Sequence, residues 1–129
     1  MIRIVVAIIL NLFAASLSDW LFMGILFHEQ YRTFPEVWRD ATNEQQKIMI
    51  AQIYCLMTAV GFVLLFRYAG PFPLSTSLTV AGLIWLIGPL PLLLGNHLFI
   101  KLDPKVTAGH ATGWLAKLLL IGAITAVVL

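Results

Sequence analysis

Apolar residues fill this chain in long unbroken runs, not in alternation and not in one-sided stripes. Four runs, residues 4–27, 48–66, 77–100 and 110–129, each supply roughly the 20 apolar positions that a hydrocarbon core about 30 Å thick demands. A run that is apolar on every side suits a helix in lipid, where all backbone groups are satisfied within the segment. A spanning β-barrel would instead show alternating segments of about ten residues. The pattern therefore predicts an all-α fold, an integral membrane up-down four-helix bundle. Its helices are expected over about 4–27, 46–67, 75–100 and 104–129, forming one transmembrane domain over residues 1–129.

The connections carry the punctuation. The only long one, "HEQYRTFPEVWRDATNEQQK", contains Thr33 and Glu36 at capping-box spacing with Pro35 in the first turn, and Thr42 with Gln45 repeats that spacing before the second helix. A short interfacial helix over about 34–41 is expected, with Tyr31, Phe34 and Trp38 on an aromatic face opposite Glu36, Arg39 and Asp40, lying flat at headgroup level. The alternative is a solvated loop with incidental aromatics. "AGPFPLST" is a tight turn, because neither Pro71 nor Pro73 can donate to a helix. In "WLIGPLPLLLGNHLF", Pro89 and Pro91 remove two donors and crowd the carbonyls of Trp85 and Ile87, so the third helix should bend midway. Asp103 followed by Pro104 is a helix start, which folds the last two helices into an antiparallel hairpin.

Composition removes the other classes. Of 129 residues 60% are hydrophobic and 11% charged, and the mean hydropathy is +0.94, so no soluble domain fits in what the helices leave over. Arg3, an apolar stretch and Ala14-Ala15-Ser16 mimic a secretory signal peptide, but the apolar run continues to Phe27 and is read as a retained first helix. Cys55 is the one cysteine, so no internal disulfide forms and the compartment is not legible from cysteine usage. A formal charge of +2 gives no basis for a nucleic-acid partner; the expected surroundings are the lipid bilayer, with further copies of the chain or other membrane subunits. The loops after helices 1 and 3 hold Arg32, Arg39, Lys47, Lys101 and Lys105, against Arg3 and Arg67 on the opposite side. By the positive-inside rule those two loops are cytoplasmic and both termini outside, in a multi-pass protein of the cell inner membrane.

Against this background Lys117, in "GHATGWLAKLLLIGAITAVVL", is out of place. Counted from the side of loops 1 and 3 at 1.5 Å per residue, Asp19 lies about 12 Å deep and Lys117 about 10 Å. An isolated charge near the bilayer centre costs about 2.5–3.5 kcal/mol on insertion scales, so a carboxylate and an ammonium at one depth are expected to meet. The competing arrangement has Lys117 snorkelling to the interface while Asp19 is protonated or bonded to Ser18 or Gln52. Gln52, Asn96, His97 and His110 fall in the same half of the bilayer, so Asp19, Gln52, Asn96, His97, His110 and Lys117 form the candidate polar or ligand-binding cluster. On the last helix His110, Trp114 and Lys117 share a face beside the small-xxx-small step Gly109 and Gly113. Asn11, Ala15, Ser18 and Phe22 form a comparable strip on the first, which predicts contact between helices 1 and 4.

His28, His97 and His110, with Glu29 and Asp103, are the right donors for a transition metal, but no pair has the i, i+4 spacing of a helical metal motif. Interfacial or capping roles are expected instead, with no metal site. Nothing resembles a P-loop, a nucleophile elbow or a CxxC motif, so neither a catalytic residue nor a cofactor is assigned.

Both ends of the chain resemble a family of small bacterial four-helix membrane proteins classed only as a domain of unknown function. "DWLFMGILF" and Trp38 are similar to that family's aromatic end of the first helix and its second tryptophan. "NHLFIKLDPKVTAGHATGWLAKLLLIGAITAVVL" matches at Asn96, Leu98, Phe99, Ala108, Gly109, His110, Gly122, Ala123 and Ile124. The family's Tyr-Ser-Pro after tryptophan is missing and loop 1 is longer. The resemblance implies the fold and adds weight to Asn96 and His110, and it carries no activity with it. Three functions remain open: a non-catalytic homo-oligomer or accessory subunit of a membrane complex; a small-molecule or proton pathway through a polar cavity; and a lipid-modifying enzyme with His110 or His97 as acid or base.

Overall fold

The structure, a computed structural model, describes residues 1–39 and 42–129, and it contains helices and no strand among them. Helix α1 (Ile2–Asp19) passes directly into a π-helix over Trp20–Leu26, and α2 covers Glu44–Ala69. The third span is divided into α3 (Leu74–Ile87) and α4 (Pro89–Phe99), and α5 (Pro104–Val128) is the fourth. Ile2–Leu26, Glu44–Ala69, Leu74–Phe99 and Pro104–Val128 are each long and apolar enough to cross a membrane. The protein is a multi-pass all-α membrane protein with four spans.

Local chemistry explains the boundaries. Asp103 caps α5, its Oδ1 accepting from the Lys105 backbone N–H at 2.8 Å with Pro104 at the first helical position. Gly70, at φ 106°, ends α2 in a conformation that other residues resist. At the start of α2 the capping position falls on Asn43, which takes the left-handed φ of 60°, and not on Thr42. Gly88 (φ −113°, ψ −89°) breaks the third span where Pro89 and Pro91 leave donors missing, so the expected bend is a helix-to-helix junction.

Loop 1 differs from the single short helix expected over 34–41. It forms two 3-10 turns, His28–Arg32 and Pro35–Val37, and Trp38 is already extended; Asp40 and Ala41 lie outside the described residues. The cause is Pro35. The residue before a proline is pushed out of the helical region, and Phe34 (φ −131°, ψ 76°) is where the two turns separate. The aromatics then pack on one another instead of lining one helix face, with the Tyr31 and Trp38 rings edge to face at 4.8 Å.

Helix α5 runs antiparallel to α1 and to the third span, because paired positions rise on one helix as they fall on the other. Asn11 pairs with Thr125 and Asp19 with Lys117 across α1 and α5, while Ser77 pairs with Gly122 and His97 with Thr107 across the third span and α5. Helix α5 touches α1, α2, α3 and α4. It is also the most enclosed: 39% of the apolar window of its span is buried, against 6% for the third span. Small residues permit this. A Cβ added at Gly122 would sit 3.2 Å from Ser77 Oγ and 3.3 Å from Ala81 Cβ, and the closeness lets Ser77 Oγ donate to the Gly122 carbonyl at 2.6 Å. Away from the loop 1 end, Phe62, Phe66 and Phe72 pack ring on ring around Leu118 and Ile121 to fill the core.

Candidate functional site

The seam between α1 and α5 holds the membrane-embedded charges. Lys117 Nζ donates to Asp19 Oδ2 at 2.7 Å and lies 2.6 Å from Oδ1, with side chains 4% and 24% exposed. Lysine snorkelling is thereby excluded: the ammonium is turned inward, over the face of Trp114 with 4.2 Å to the ring centroid. Asp19 Oδ1, also buried, lies beside the ammonium and has no hydrogen bond of its own. Oδ2 accepts a second contact, from Cys55 Sγ on α2 at 3.1 Å. One carboxylate thus links three spans.

Backbone geometry sets the seam's register. The π-helix starting directly after Asp19 has the i→i−5 bond Phe27 N–H to Phe22 carbonyl at 3.0 Å. Five residues on this wider helix match four on α5: Phe22 packs at Gly113 and Phe27 at Gly109, with the two rings near-parallel and 6.5 Å apart. In an ordinary α-helix position 27 would turn about 140° away from position 22. A Cβ at Gly109 would stand 2.5 Å from Phe27 Cγ, and one at Gly113 would stand 3.1 Å from Phe22 Cβ. Ser18 Oγ donates to the Gly113 carbonyl at 3.2 Å, and deeper along the seam Asn11 Nδ2 donates to Thr125 Oγ1 at 2.8 Å, leaving the buried Asn11 Oδ1 without a partner.

Toward loop 1 the seam closes with Tyr31, whose hydroxyl is 2.5 Å from His110 Nε2, the rings edge to face. Burial pushes the Tyr31 phenol up to about 12, and the Asp19 carboxylate acts in the same direction. At the surface Lys101 Nζ donates to Glu36 at 2.9 Å and lies over the Phe34 ring, fastening loop 3 to loop 1. That hydrogen bond holds the Glu36 carboxyl below its ordinary range.

The remaining predicted site residues do not join this centre. Gln52 Oε1 accepts from Ser16 Oγ at 2.5 Å on the outer side of the α1–α2 contact. His97 Nδ1 pairs with Thr107 Oγ1 at 3.2 Å on the far side of α5, and Asn96 has no side-chain hydrogen bond among the described residues. For Asn96 and His97 the physical reason is α5 itself, which stands between the third span and α1 and holds His97 at Thr107, about 15 Å along the helix from Lys117. Among the described residues no three His, Cys, Asp or Glu side chains converge as a metal set. Sequence reasoning missed Cys55, although it is three residues from Gln52 and so on a neighbouring face of α2. Nor does the sequence show that Tyr31, expected at headgroup level, reaches His110.

Four spans closed by a buried ion pair define the class: a small multi-pass helical membrane protein. Within that class the family is shown by its profile, described as "Protein of unknown function (DUF1761)", which matches residues 4–126, and the chain belongs to it. No curated protein and no solved structure matches the chain.

Two outcomes follow from the seam. Lys117→Met leaves a carboxylate without its counter-charge and should destabilise the bundle by about 3–5 kcal/mol, whereas Asp19→Asn combined with Lys117→Met should recover more than half of that loss in mixed-micelle unfolding; strictly additive losses would contradict coupling. The Tyr31 phenol keeps its proton to higher pH in the folded protein than in the unfolded chain. Its contribution to stability is therefore complete below about pH 10 and is lost as pH rises through about 12. Subtracting the ultraviolet titration of Tyr31→Phe from that of the parent should isolate one phenol ionising near pH 12, and a component near pH 10 would refute the buried assignment.

Proposed function

We propose that this is a non-catalytic integral membrane protein that acts through its helix surfaces, as a homo-oligomer or as an accessory subunit of a larger membrane complex. The observation that carries this reading is that the ionisable groups along the α1–α5 seam are already engaged by other groups of the protein. Lys117 is held by Asp19 and Trp114, Asp19 also by Cys55, and His110 by Tyr31. A substrate would have to displace those contacts. Surface cavities elsewhere include one of about 290 Å³ between Met1, Ile4, Phe66, Arg67, Pro71 and Leu129, and a groove of about 410 Å³ between α1 and α2. In this reading the protein sits in the cell inner membrane with loops 1 and 3 cytoplasmic, supported by the basic residues of those loops.

The second reading, a small-molecule or proton pathway, draws support from two buried oxygens without hydrogen bonds, Asn11 Oδ1 and Asp19 Oδ1, on the α1–α5 seam. The lipid-modifying enzyme has less: His97 and His110 are engaged with different partners, the hydroxyls of Thr107 and Tyr31, on different sides of α5, and so do not form one acid–base site.

Native purification in a lipid nanodisc followed by mass spectrometry separates these. Co-purification of a second copy or of other membrane proteins, without a stoichiometric metabolite, is expected. A discrete bound metabolite in the absence of any protein partner would overturn the subunit reading.

A further inference from the structure

Gln52 is the one predicted cluster residue that faces outward. Helix α2 has 26 residues, about 39 Å, and Gln52 lies about 12 Å from its first residue, which places it roughly 8 Å inside a 30 Å hydrocarbon core. Its Oε1 accepts from Ser16, while its Nε2 has no partner among the described residues. The pair sits in the groove formed with Leu12, Phe13, Ile53 and Leu56, which is otherwise apolar. Acyl chains contain no acceptor, so an amide left there is expensive, and a polar side chain in a lipid-facing groove acts as glue between spans.

We infer that the α1–α2 groove is a self-association surface in which Gln52 hydrogen-bonds to Gln52 of a second copy of this chain. The inference rests on the reading of the protein as one that works through helix contacts. Copies inserted with the same topology can be related by a two-fold axis only along the membrane normal, and that axis brings each residue to the depth of its own copy. An amide is self-complementary: Nε2 donates to the facing Oε1 and receives the same in return, and Oε1 has a second lone pair beyond the one Ser16 uses. A copy of this chain thus supplies donor and acceptor at the required depth, whereas a lipid acyl chain supplies neither. The exposed Phe13, Ile53 and Leu56, beside the half-buried Leu12, frame the contact with side chains that other spans can pack against.

The test is association in bilayers, measured by fluorescence transfer between labelled copies as protein is diluted into lipid. Gln52→Leu is compatible with lipid and should keep the fold, which circular dichroism and thermal unfolding check, while weakening dimerisation about tenfold or more. Gln52→Asn retains the amide and should associate more strongly than Gln52→Leu, and Ser16→Ala should associate as the parent does. Met49→Cys, on the groove side of α2, should cross-link between copies; Tyr54→Cys, about 140° round the helix from Met49, should not. A parent chain that stays monomeric on dilution, a Gln52→Leu variant as dimeric as the parent, or cross-linking at Tyr54→Cys instead of Met49→Cys would each overturn the inference. A monomer that co-purifies with a different membrane protein would overturn it while leaving the accessory-subunit function standing; a monomer carrying only a bound metabolite would defeat both.

Discussion

A carboxylate and an ammonium 2.7 Å apart within a hydrocarbon slab govern how these helices meet. Neither Asp19 nor Lys117 is tolerable alone at that depth, since each would cost several kcal/mol or lose its charge. Together, with the Trp114 face beneath the ammonium and the Cys55 thiol on the carboxylate, they become the point at which α1, α2 and α5 are tied. The pair is directional where apolar packing is not. Sliding α5 by one residue along α1 would separate the charges by about 1.5 Å and rotate Lys117 about 100° out of the seam.

The close approach this pair requires is prepared by residues with little or no side chain. Gly109 and Gly113 leave room for Phe27 and Phe22, and Gly122 leaves room for Ser77, so α5 can be flanked closely on two sides. The π-helix adjusts α1 to that spacing beyond Asp19, bringing Phe22 and Phe27 onto consecutive glycines. Where side chains are this small, hydrogen bonds to backbone carbonyls become available: Ser18 to Gly113, Ser77 to Gly122, and Trp85 Nε1 to Ala111 at 2.8 Å. The last also steadies α3 just before the span breaks at Gly88.

Much of this was legible in the chain before any coordinates. The four apolar runs, the Asp103–Pro104 start, the interruption at Pro89 and Pro91, and the matching depth of Asp19 and Lys117 all follow from local rules. The azimuth of a residue around its helix does not. Depth counting puts Gln52, Asn96 and His97 in the same half of the bilayer as Asp19, but side-chain direction and the central place of α5 send Gln52 to Ser16 and His97 to Thr107. Loop 1 misled for a different reason: the capping spacing of Thr33 and Glu36 was real, yet Phe34 ahead of Pro35 could not be helical. Tyr31 and Cys55 carry no charge at neutral pH, so neither stands out in the sequence as Asp19 and Lys117 do.

Magic-angle-spinning NMR of the chain in lipid bilayers measures directly whether Asp19 and Lys117 meet in the membrane. With Lys117 labelled at ¹⁵Nζ and Asp19 at ¹³Cγ, the dipolar coupling should report a separation under about 4 Å, as a charge-assisted hydrogen bond requires. No measurable coupling, with Lys117 Nζ instead exchanging freely with interfacial water, would contradict the pairing.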